Sequence, residues 1–454
     1  MGGLAFSSSV NPPHIPRMPP AVYRYVAAAC SAVLRELFVY VATPIEGPGK
    51  TDHGDVDVLV ALERRVVFPR AGVDSKPKTP IELMEEIKHR LRTKHALVHW
   101  TGTSANLAIP WPSDMEDCTM APSSAAEVNV PSGEAADPKP KYVQVDIRIC
   151  TSADQLFWAL YKHAHGDLWN LLGSIIRPFG LTIDEEALWV RIPEIEKLDR
   201  KKAKVCLSRD PVEILHFLGM QVEGFWSKPF ASVEALYDYA TTCRLFWIQD
   251  LPSDDEAIAP SKEVNNSGVI GGEEGRKRLK SNDRRRMKGR EVYRRWVEEF
   301  IPALRAQGKF VHKAGPGTTI EEMRAVVRDE AFSRFFVRPE YEHRLREWRL
   351  QRDSEQMKAL LKKQVPDTLE PQKRSCLIGA LKKIIMEHDT SYGVDTSSFR
   401  DADGFYDMEV VGQFIQGNLT GLGEIAWANQ QKRAREAMRL KACGCQIPGG
   451  LCHA

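Results

Sequence analysis

The spacing of hydrophobic residues in the first part of the chain changes repeatedly between helical and strand periods. Apolar positions at helical spacing predict a helix over 21–37, and a β-rich run predicts a strand over 38–43. Residues 47–54 are dense in turn formers and separate this strand from another predicted over 55–61. The chain therefore begins with a helix followed by a strand, a loop and a second strand.

Helices and strands continue to alternate up to about residue 250. The pattern predicts helices over 81–94 and 155–173, a strand over 142–150, and two short strands within 181–192. Residues 113–141 are rich in Pro, Ser, Ala, Gly and acidic residues, which predicts a mobile surface insertion. This mixture of elements is typical of an α+β domain.

The chain changes character after residue 250. Residues 251–283 begin acidic and become rich in Gly, Asn and Ser, which predicts a linker, and 284–454 carry long helical patterns with almost no strand pattern. A chain of 454 residues fits two domains. We predict a flexible N-terminus over 1–20, a catalytic domain over 21–250 with a small mixed sheet flanked by helices, and a mainly α-helical C-terminal domain.

Composition excludes few functions but indicates a compartment. The formal net charge is +2, so the whole-chain charge does not indicate a nucleic-acid partner. The nine cysteines show no repeated spacing, which favours a reducing compartment. The longest apolar stretch, 27–45, is interrupted by Arg35 and Glu36 and is too short to span a membrane. We expect an intracellular protein with no membrane partner.

Acidic residues occupy one face of two predicted strands. The period of two along a strand places Asp55 and Asp57 on one face and the intervening valines on the other. The strand over 142–150 repeats this arrangement, with Gln144, Asp146 and Arg148 on its polar face. A third carboxylate can therefore join the first two.

Three neighbouring carboxylates suit a divalent cation. Like charges at close range repel one another unless a cation neutralises them or a pKa rises. Oxygen ligands favour Mg²⁺ or Mn²⁺, and two such ions can stabilise both the attacking and the leaving oxygen of an in-line displacement. The alternative is that these are solvated aspartates at a strand edge.

The combination of Gly49-Lys50, Gly54-Asp55-Val56-Asp57 and Val143-Gln144-Val145-Asp146 resembles the polymerase-beta-like nucleotidyltransferase superfamily, which includes poly(A) and CCA-adding enzymes. It is also similar to nucleotidyltransferase-like proteins of phages and to uncharacterised fungal proteins. The resemblance covers about half the chain. It implies that Asp55, Asp57 and Asp146 form the catalytic metal site, that Gly49 marks a phosphate-facing turn, and that a nucleoside triphosphate is the substrate. The chain departs from the superfamily at Lys50, where Ser is usual, and in its short loop.

Several other residues are candidates for contacts with the nucleotide. Lys50 can meet a triphosphate as a point charge, or it can be a solvated loop lysine. Arg148 and Arg177 can bind phosphate or form ion pairs, and the polar and aromatic segment 162–170 suits either a cleft wall or a structural role. The predicted nucleotide-binding residues are Gly49, Lys50, Gly54, Arg148, His165 and Arg177.

A basic run follows the predicted linker. Nine of the fifteen residues from 276 to 290 are Lys or Arg, and Asp283 is the single acid. Such a run can contact RNA, direct nuclear import or simply form a solvated helix start. We expect it to be exposed and loosely ordered, and it favours a nuclear over a cytoplasmic location.

The function predicted from these patterns is transfer of a nucleotidyl group from a nucleoside triphosphate to an acceptor hydroxyl, on an RNA 3′ end or another acceptor, with release of pyrophosphate. The helical domain would select the acceptor. Two alternatives remain open. One is a metal-dependent nuclease, although Asp146-Ile147-Arg148 offers arginine where such sites usually have lysine, and the other is an inactive transferase fold that serves as a binding or scaffold protein.

Overall fold

A computed structural model gives the fold for residues 3–70, 72, 75–115, 140–248, 271–279, 281–311, 319–394 and 399–442. The chain divides into two compact units, Met1–Val337 and Arg338–Ala454. The central part of the predicted insertion over 113–141, and most of the predicted linker over 251–283, lie outside the described residues. The coarse prediction of a mixed α+β fold with a helical C-terminal region is confirmed.

The first unit is built on a five-stranded mixed sheet. Its strands lie in the order β1-β2-β5-β4-β3, and only the β2–β5 pair is parallel. The strands are β1 (Phe38–Ala42), β2 (Asp55–Glu63), β3 (His95–Val98), β4 (Ser104–Pro110) and β5 (Tyr142–Cys150). The helices before and between them are α1 (Pro20–Leu37), α2 (Arg64–Val67) and α3 (Pro80–Arg90).

One face of this sheet forms the main core of the first unit. The buried side chains of α1 recur every four residues, at Val22, Val26, Cys30 and Leu34, and pack in one cluster with the valines of β2 and β5. Burial of this continuous apolar face is the principal force that holds α1 against the sheet. The predicted helix over 21–37 and the strands over 38–43, 55–61 and 142–150 are confirmed to within two residues.

Residues 94–110 form a β-hairpin that the sequence analysis did not predict. The helix predicted over 81–94 ends at Arg90, and β3 begins at His95. Along β3, Leu97 and Val98 are both exposed, so the strand has no alternation that would mark a buried face. Its pairing with β4 determines the strand instead.

A second, three-stranded antiparallel sheet follows in the order β6-β7-β8. The two short strands predicted around Asp184 are confirmed, whereas the single helix predicted over 155–173 is interrupted by His165 and Gly166, which both have positive φ. The remaining helices and strands of the first unit are α4 (Ala153–His163), α5 (Leu168–Ile176), β6 (Leu181–Ile183), β7 (Leu188–Arg191), α6 (Pro193–Glu196), β8 (Lys204–Ser208), α7 (Pro211–Phe217), α8 (Val233–Thr241), α9 (Gly272–Arg278), α10 (Ser281–Gly289), α11 (Glu291–Arg295), α12 (Ile301–Ala306) and α13 (Ile320–Phe335). A π-helical turn at Trp296–Phe300 lies between α11 and α12.

The second unit begins later than the predicted helical domain. Helices α10 to α13 belong to the first unit, because buried contacts such as the hydrogen bond from the Tyr237 hydroxyl to the Val292 carbonyl, 2.6 Å, join them to it. The second unit has its own core, which includes Met357, Leu381 and Ile415. Its helices are α14 (Arg338–Gln364), α15 (Pro371–Glu387) and α16 (Met408–Ala442). Over the described ranges, no helix is both long enough and apolar enough to cross a membrane.

Candidate functional site: a carboxylate row in a cationic cleft

The three predicted carboxylates lie on neighbouring strands of the five-stranded sheet. Asp57 of β2 is the register partner of Asp146 of β5, and Asp55 is the partner of Gln144. Register partners on parallel strands place their side chains on the same face, and neighbouring strands are only about 4.8 Å apart. The valines between these residues belong to the core on the opposite face. Asp55, Asp57 and Asp146 therefore share one face of the sheet.

The electrostatics of this face are those of a crowded anionic site. Burial and then the charges of Asp55 and Asp146 raise the pKa of Asp57 to about 7, and Lys50 opposes the rise. Asp57 is accessible to solvent, but it lies at the floor of a cleft whose walls limit hydration. Burial also raises the pKa of Asp146. Such raised pKa values are expected where a cation would relieve the repulsion.

Amide groups hold the outer members of the row. The Gln144 side chain donates from Nε2 to Asp146 Oδ1 over 2.9 Å, and the side chain of Asn106, the register partner of Asp146 on β4, also forms a hydrogen bond with this carboxylate. On the other side, the backbone N–H of Gly3 donates to Asp55 Oδ2 over 3.3 Å. The N-terminal segment therefore reaches the carboxylate row.

The residues of the row fit a hard divalent cation by donor type. Asp55, Asp57 and Asp146 supply carboxylate oxygens on one face of the sheet, which is the oxygen-only chemistry that Mg²⁺ and Mn²⁺ prefer. Among the side chains that the structure describes, no group of three His, Cys, Asp or Glu residues is already gathered at coordination spacing. The fit therefore rests on the chemistry of the donors and on their shared face.

The glycine-containing loop over 47–54 lies beside the row and is held at both ends. Its last part is held by backbone hydrogen bonds of 2.8 and 2.9 Å between Met18 and His53. The His53 ring is buried and stacks on Tyr23, with ring centroids 3.9 Å apart. At the other end a Cβ on Gly166 would lie 3.0 Å from the Cα of Gly47, so the two backbones are in contact. The loop is thus held by the His53 side chain and backbone at one end and by close approach of two glycine backbones at the other.

A cleft of about 900 Å³ opens over Asp55 and Asp57. The loop over 47–54 forms one wall, so the predicted residues Gly49, Lys50 and Gly54 all face the cleft. The second wall combines residues around α4 and α5 with α10 and α11. Its cationic side chains are Lys162, Arg177, Arg286, Arg290 and Arg295, and its lining also holds the carboxylates Asp167, Asp184, Glu185 and Glu291.

The cationic wall is organised by buried or half-buried carboxylates. Asp283 is 4% exposed and accepts hydrogen bonds from Arg177, at 2.8 Å, and from Arg286. Asp167 accepts from Arg290 at 2.6 Å and from Asn170 at 2.8 Å. These pairs orient the guanidinium groups at the cleft while reducing their mutual repulsion.

The basic run over 276–290 is largely exposed, as expected, but it is helical rather than loosely ordered. Its described part forms α9 and α10, in which Asp283 and Met287 are buried while most of the Lys and Arg side chains are exposed. Its last arginines line the cleft. Sequence patterns could not reveal this position, because Asp283 and Arg290 pair with Arg177 and Asp167, which lie more than a hundred residues away in the chain.

Two other predicted residues lie outside the large cleft. His165 is 1% exposed and its Nε2 pairs with the Phe225 carbonyl at 2.8 Å, so it is a buried structural residue and the prediction that it binds nucleotide is withdrawn. Its neighbour His163 lines the cleft instead. Arg148 forms an ion pair of 3.2 Å with Glu185 and lines a smaller cavity on the far side of Asp146.

Comparison of the chain with protein-family models and with curated proteins finds no match. The functional interpretation of the site therefore rests on its own geometry and chemistry.

Proposed function

We propose that this protein is a metal-dependent nucleotidyltransferase with a polymerase-beta-like catalytic domain. It would transfer a nucleotidyl group from a nucleoside triphosphate to an acceptor hydroxyl and release pyrophosphate. The observation that carries the proposal is the pairing of Asp57 with Asp146 on parallel strands, with Asp55 on the same face, at the floor of a cleft with a cationic wall. The carboxylates suit the divalent ions that accompany a nucleoside triphosphate, and the cationic side chains suit its phosphates.

Each part of the cleft has a role in this reaction. Asp55, Asp57 and Asp146 would hold Mg²⁺ or Mn²⁺, which when bound would withdraw charge from the phosphates and the attacking oxygen. Lys50 and Arg290 stand on opposite walls of the cleft and would bind the polyphosphate between them. Lysine suits this position because its ammonium group acts as a point charge toward phosphate oxygens.

Asp146 is suited to accept the proton of the acceptor hydroxyl. Burial raises its pKa, and hydrogen bonds from Gln144 and Asn106 hold its carboxylate in place. As the acceptor oxygen forms its bond to the α-phosphorus, the bond from that phosphorus to the bridging oxygen breaks, and pyrophosphate leaves with the electron pair. The acceptor proton passes to Asp146.

The test is pyrophosphate release by the full chain with each of the four nucleoside triphosphates, Mg²⁺ or Mn²⁺, and mixed RNA acceptors. We expect Asp57→Asn to abolish turnover, because one charge is lost from a site that holds dications. Asp238→Asn, at an exposed carboxylate on α8 outside the cleft, is the matched control and should retain activity. The same reactions examined on a gel show whether the RNA grows or shortens.

Two results would refute the proposal. A wild type that shortens RNA without releasing pyrophosphate is a nuclease. A wild type whose melting temperature does not respond to Mg²⁺ with any triphosphate, and that releases no pyrophosphate, is a binding or scaffold protein.

A further inference from the structure

A second cavity adjoins the carboxylate row on the side away from the glycine-containing loop. It has a volume of about 400 Å³ and shares Asp57 and His163 with the large cleft, so the two spaces meet at the carboxylates. Asp146 lies in the wall of the second cavity and is absent from the lining of the first. Because the triphosphate of the proposed function occupies the large cleft, an acceptor that reaches the row at Asp146 enters through this cavity.

The lining of this cavity combines an apolar side with a polar side. Leu97 of β3, the register partner of Asn106, supplies an apolar side chain. Ser104 and Asn106 of β4 are register partners of Arg148 and Asp146 on β5, so these four polar side chains share one face. The cavity therefore offers apolar contact, hydrogen bonds and one guanidinium group to whatever occupies it.

Arg148 is available to an anionic ligand. Its present partner is Glu185, at 3.2 Å, and the two side chains are 33% and 61% exposed. An ion pair this accessible to solvent contributes little to stability. A phosphate group can replace Glu185 with little loss of stability.

The turn between β3 and β4 presents a tryptophan at the rim of this cavity. Trp100 is 84% exposed, whereas its neighbour His99 lines the cavity, with the two ring centroids 5.6 Å apart. Leu97 and Val98 of the same hairpin are also exposed, so the indole extends an apolar surface, and an apolar surface of this kind is typical of a ligand-binding site.

The turn that carries Trp100 is held rigidly. Its backbone is closed by hydrogen bonds from His99 to Ser104, 2.9 Å, and from Gly102 to His99, 2.8 Å. Gly102 has φ +71°, and a Cβ there would lie 2.7 Å from the backbone nitrogen of Ile81 at the start of α3. The indole is therefore displayed by a turn packed against a helix.

We propose that this cavity binds the 3′ end of a single-stranded nucleic acid, with a terminal hydroxyl at Asp146, a backbone phosphate at Arg148 and a base stacked on Trp100. An acceptor small enough to fit inside the cavity would leave the exposed indole at the rim without a role. A linear polymer of planar bases uses both the cavity and the rim, because stacking on aromatic side chains and cationic contacts to phosphates are how proteins bind single strands. This assignment rests on the proposed function.

The experiment uses the full chain and a short 5′-fluorescein-labelled oligoadenylate RNA, with binding measured by fluorescence anisotropy and extension measured on a gel. We expect Trp100→Ala to weaken RNA binding and extension by about tenfold, as for loss of one stacked base. Trp100→Phe, which keeps an aromatic face, should recover most of both. Phe68→Ala removes another exposed aromatic ring, directly after α2 and outside both cavities, and should change neither.

Triphosphate binding separates this inference from the proposed function. Stabilisation by Mg²⁺ and triphosphate without RNA should be equal in the wild type and in Trp100→Ala. A wild type that extends RNA alongside a Trp100→Ala variant that binds and extends equally well overturns the acceptor site and leaves the transferase intact. Loss of triphosphate binding in Trp100→Ala also overturns the acceptor site. So does a wild type that extends duplex ends or small hydroxyl compounds in place of the single strand. A wild type that binds RNA in a Trp100-dependent manner but releases no pyrophosphate supports the binding site and refutes the transferase.

Discussion

Replacing Asp57 by Asn should stabilise the metal-free protein at neutral and alkaline pH. The pKa of Asp57 is raised in the folded state from 3.8 to about 7, first by burial and then by Asp55 and Asp146. Between these two pH values the folded protein holds the proton more tightly than the unfolded chain, so stability falls as pH rises and the full penalty is present above about pH 7. Asn carries no charge at any of these pH values, so the variant avoids this penalty.

The expected magnitude follows from the size of the pKa change. A rise of about three units corresponds to at most about 4 kcal/mol, at about 1.4 kcal/mol per unit. Because Asp57 is accessible to solvent, screening reduces this, and we expect about 1 to 2 kcal/mol. In a large unit each kcal/mol changes the melting temperature by about 2 to 4 °C, so the variant should melt about 2 to 8 °C higher at pH 8.

The assay is a pair of melting curves for the wild type and Asp57→Asn, in chelator and in Mg²⁺ with triphosphate, at several values from pH 4 to pH 8. The advantage of the variant should grow from about pH 4 to pH 7 and then level off, and Mg²⁺ with triphosphate should stabilise only the wild type. Asp238→Asn should follow the wild type throughout. The reasoning is refuted if Asp57→Asn melts below the wild type in chelator at pH 8, since Asp57 would then be held by a cationic partner such as Lys50.

Three further substitutions test other parts of the site. Gly3→Val should detach the N-terminal segment from the carboxylate row. Mg²⁺ affinity should then rise about fivefold, because the ion no longer has to replace the hydrogen bond to Asp55, which is worth about 1 kcal/mol. Gly224→Val, at a glycine with a similar positive φ but open space around it, should leave Mg²⁺ affinity unchanged. Arg290→Gln should raise the KM for triphosphate about tenfold, measured by steady-state pyrophosphate release, with folding unchanged. Arg285→Gln, on the exposed face of α10, is the control and should leave this KM unaltered. Asp283→Ala should lower the free energy of unfolding by about 1.5 to 3 kcal/mol in urea titrations, because it removes the buried carboxylate that accepts hydrogen bonds from the half-buried Arg177 and Arg286; a loss below about 1 kcal/mol would contradict this role.

The local pattern of the chain was sufficient to predict the faces of the two acidic strands. Alternation in β2 and β5 is a property of consecutive residues, so Asp55 and Asp57 could be placed opposite their valines before the fold was known. Helix α1 was equally predictable, because its buried residues follow a regular four-residue spacing that ends at Leu34.

Contacts between distant segments determined the rest. The parallel register of Asp57 with Asp146 joins residues about ninety positions apart, and no local pattern specifies which strands become neighbours. The same holds for Arg290, whose place in the cleft depends on Asp167, and for His165, whose burial depends on Phe225. Sequence periodicity reports which face of an element is apolar, whereas only tertiary packing decides which elements those faces meet. That is why the carboxylates and Arg177 were foreseen, whereas the joining of Arg177 with Arg286 and Arg290 in one wall was not.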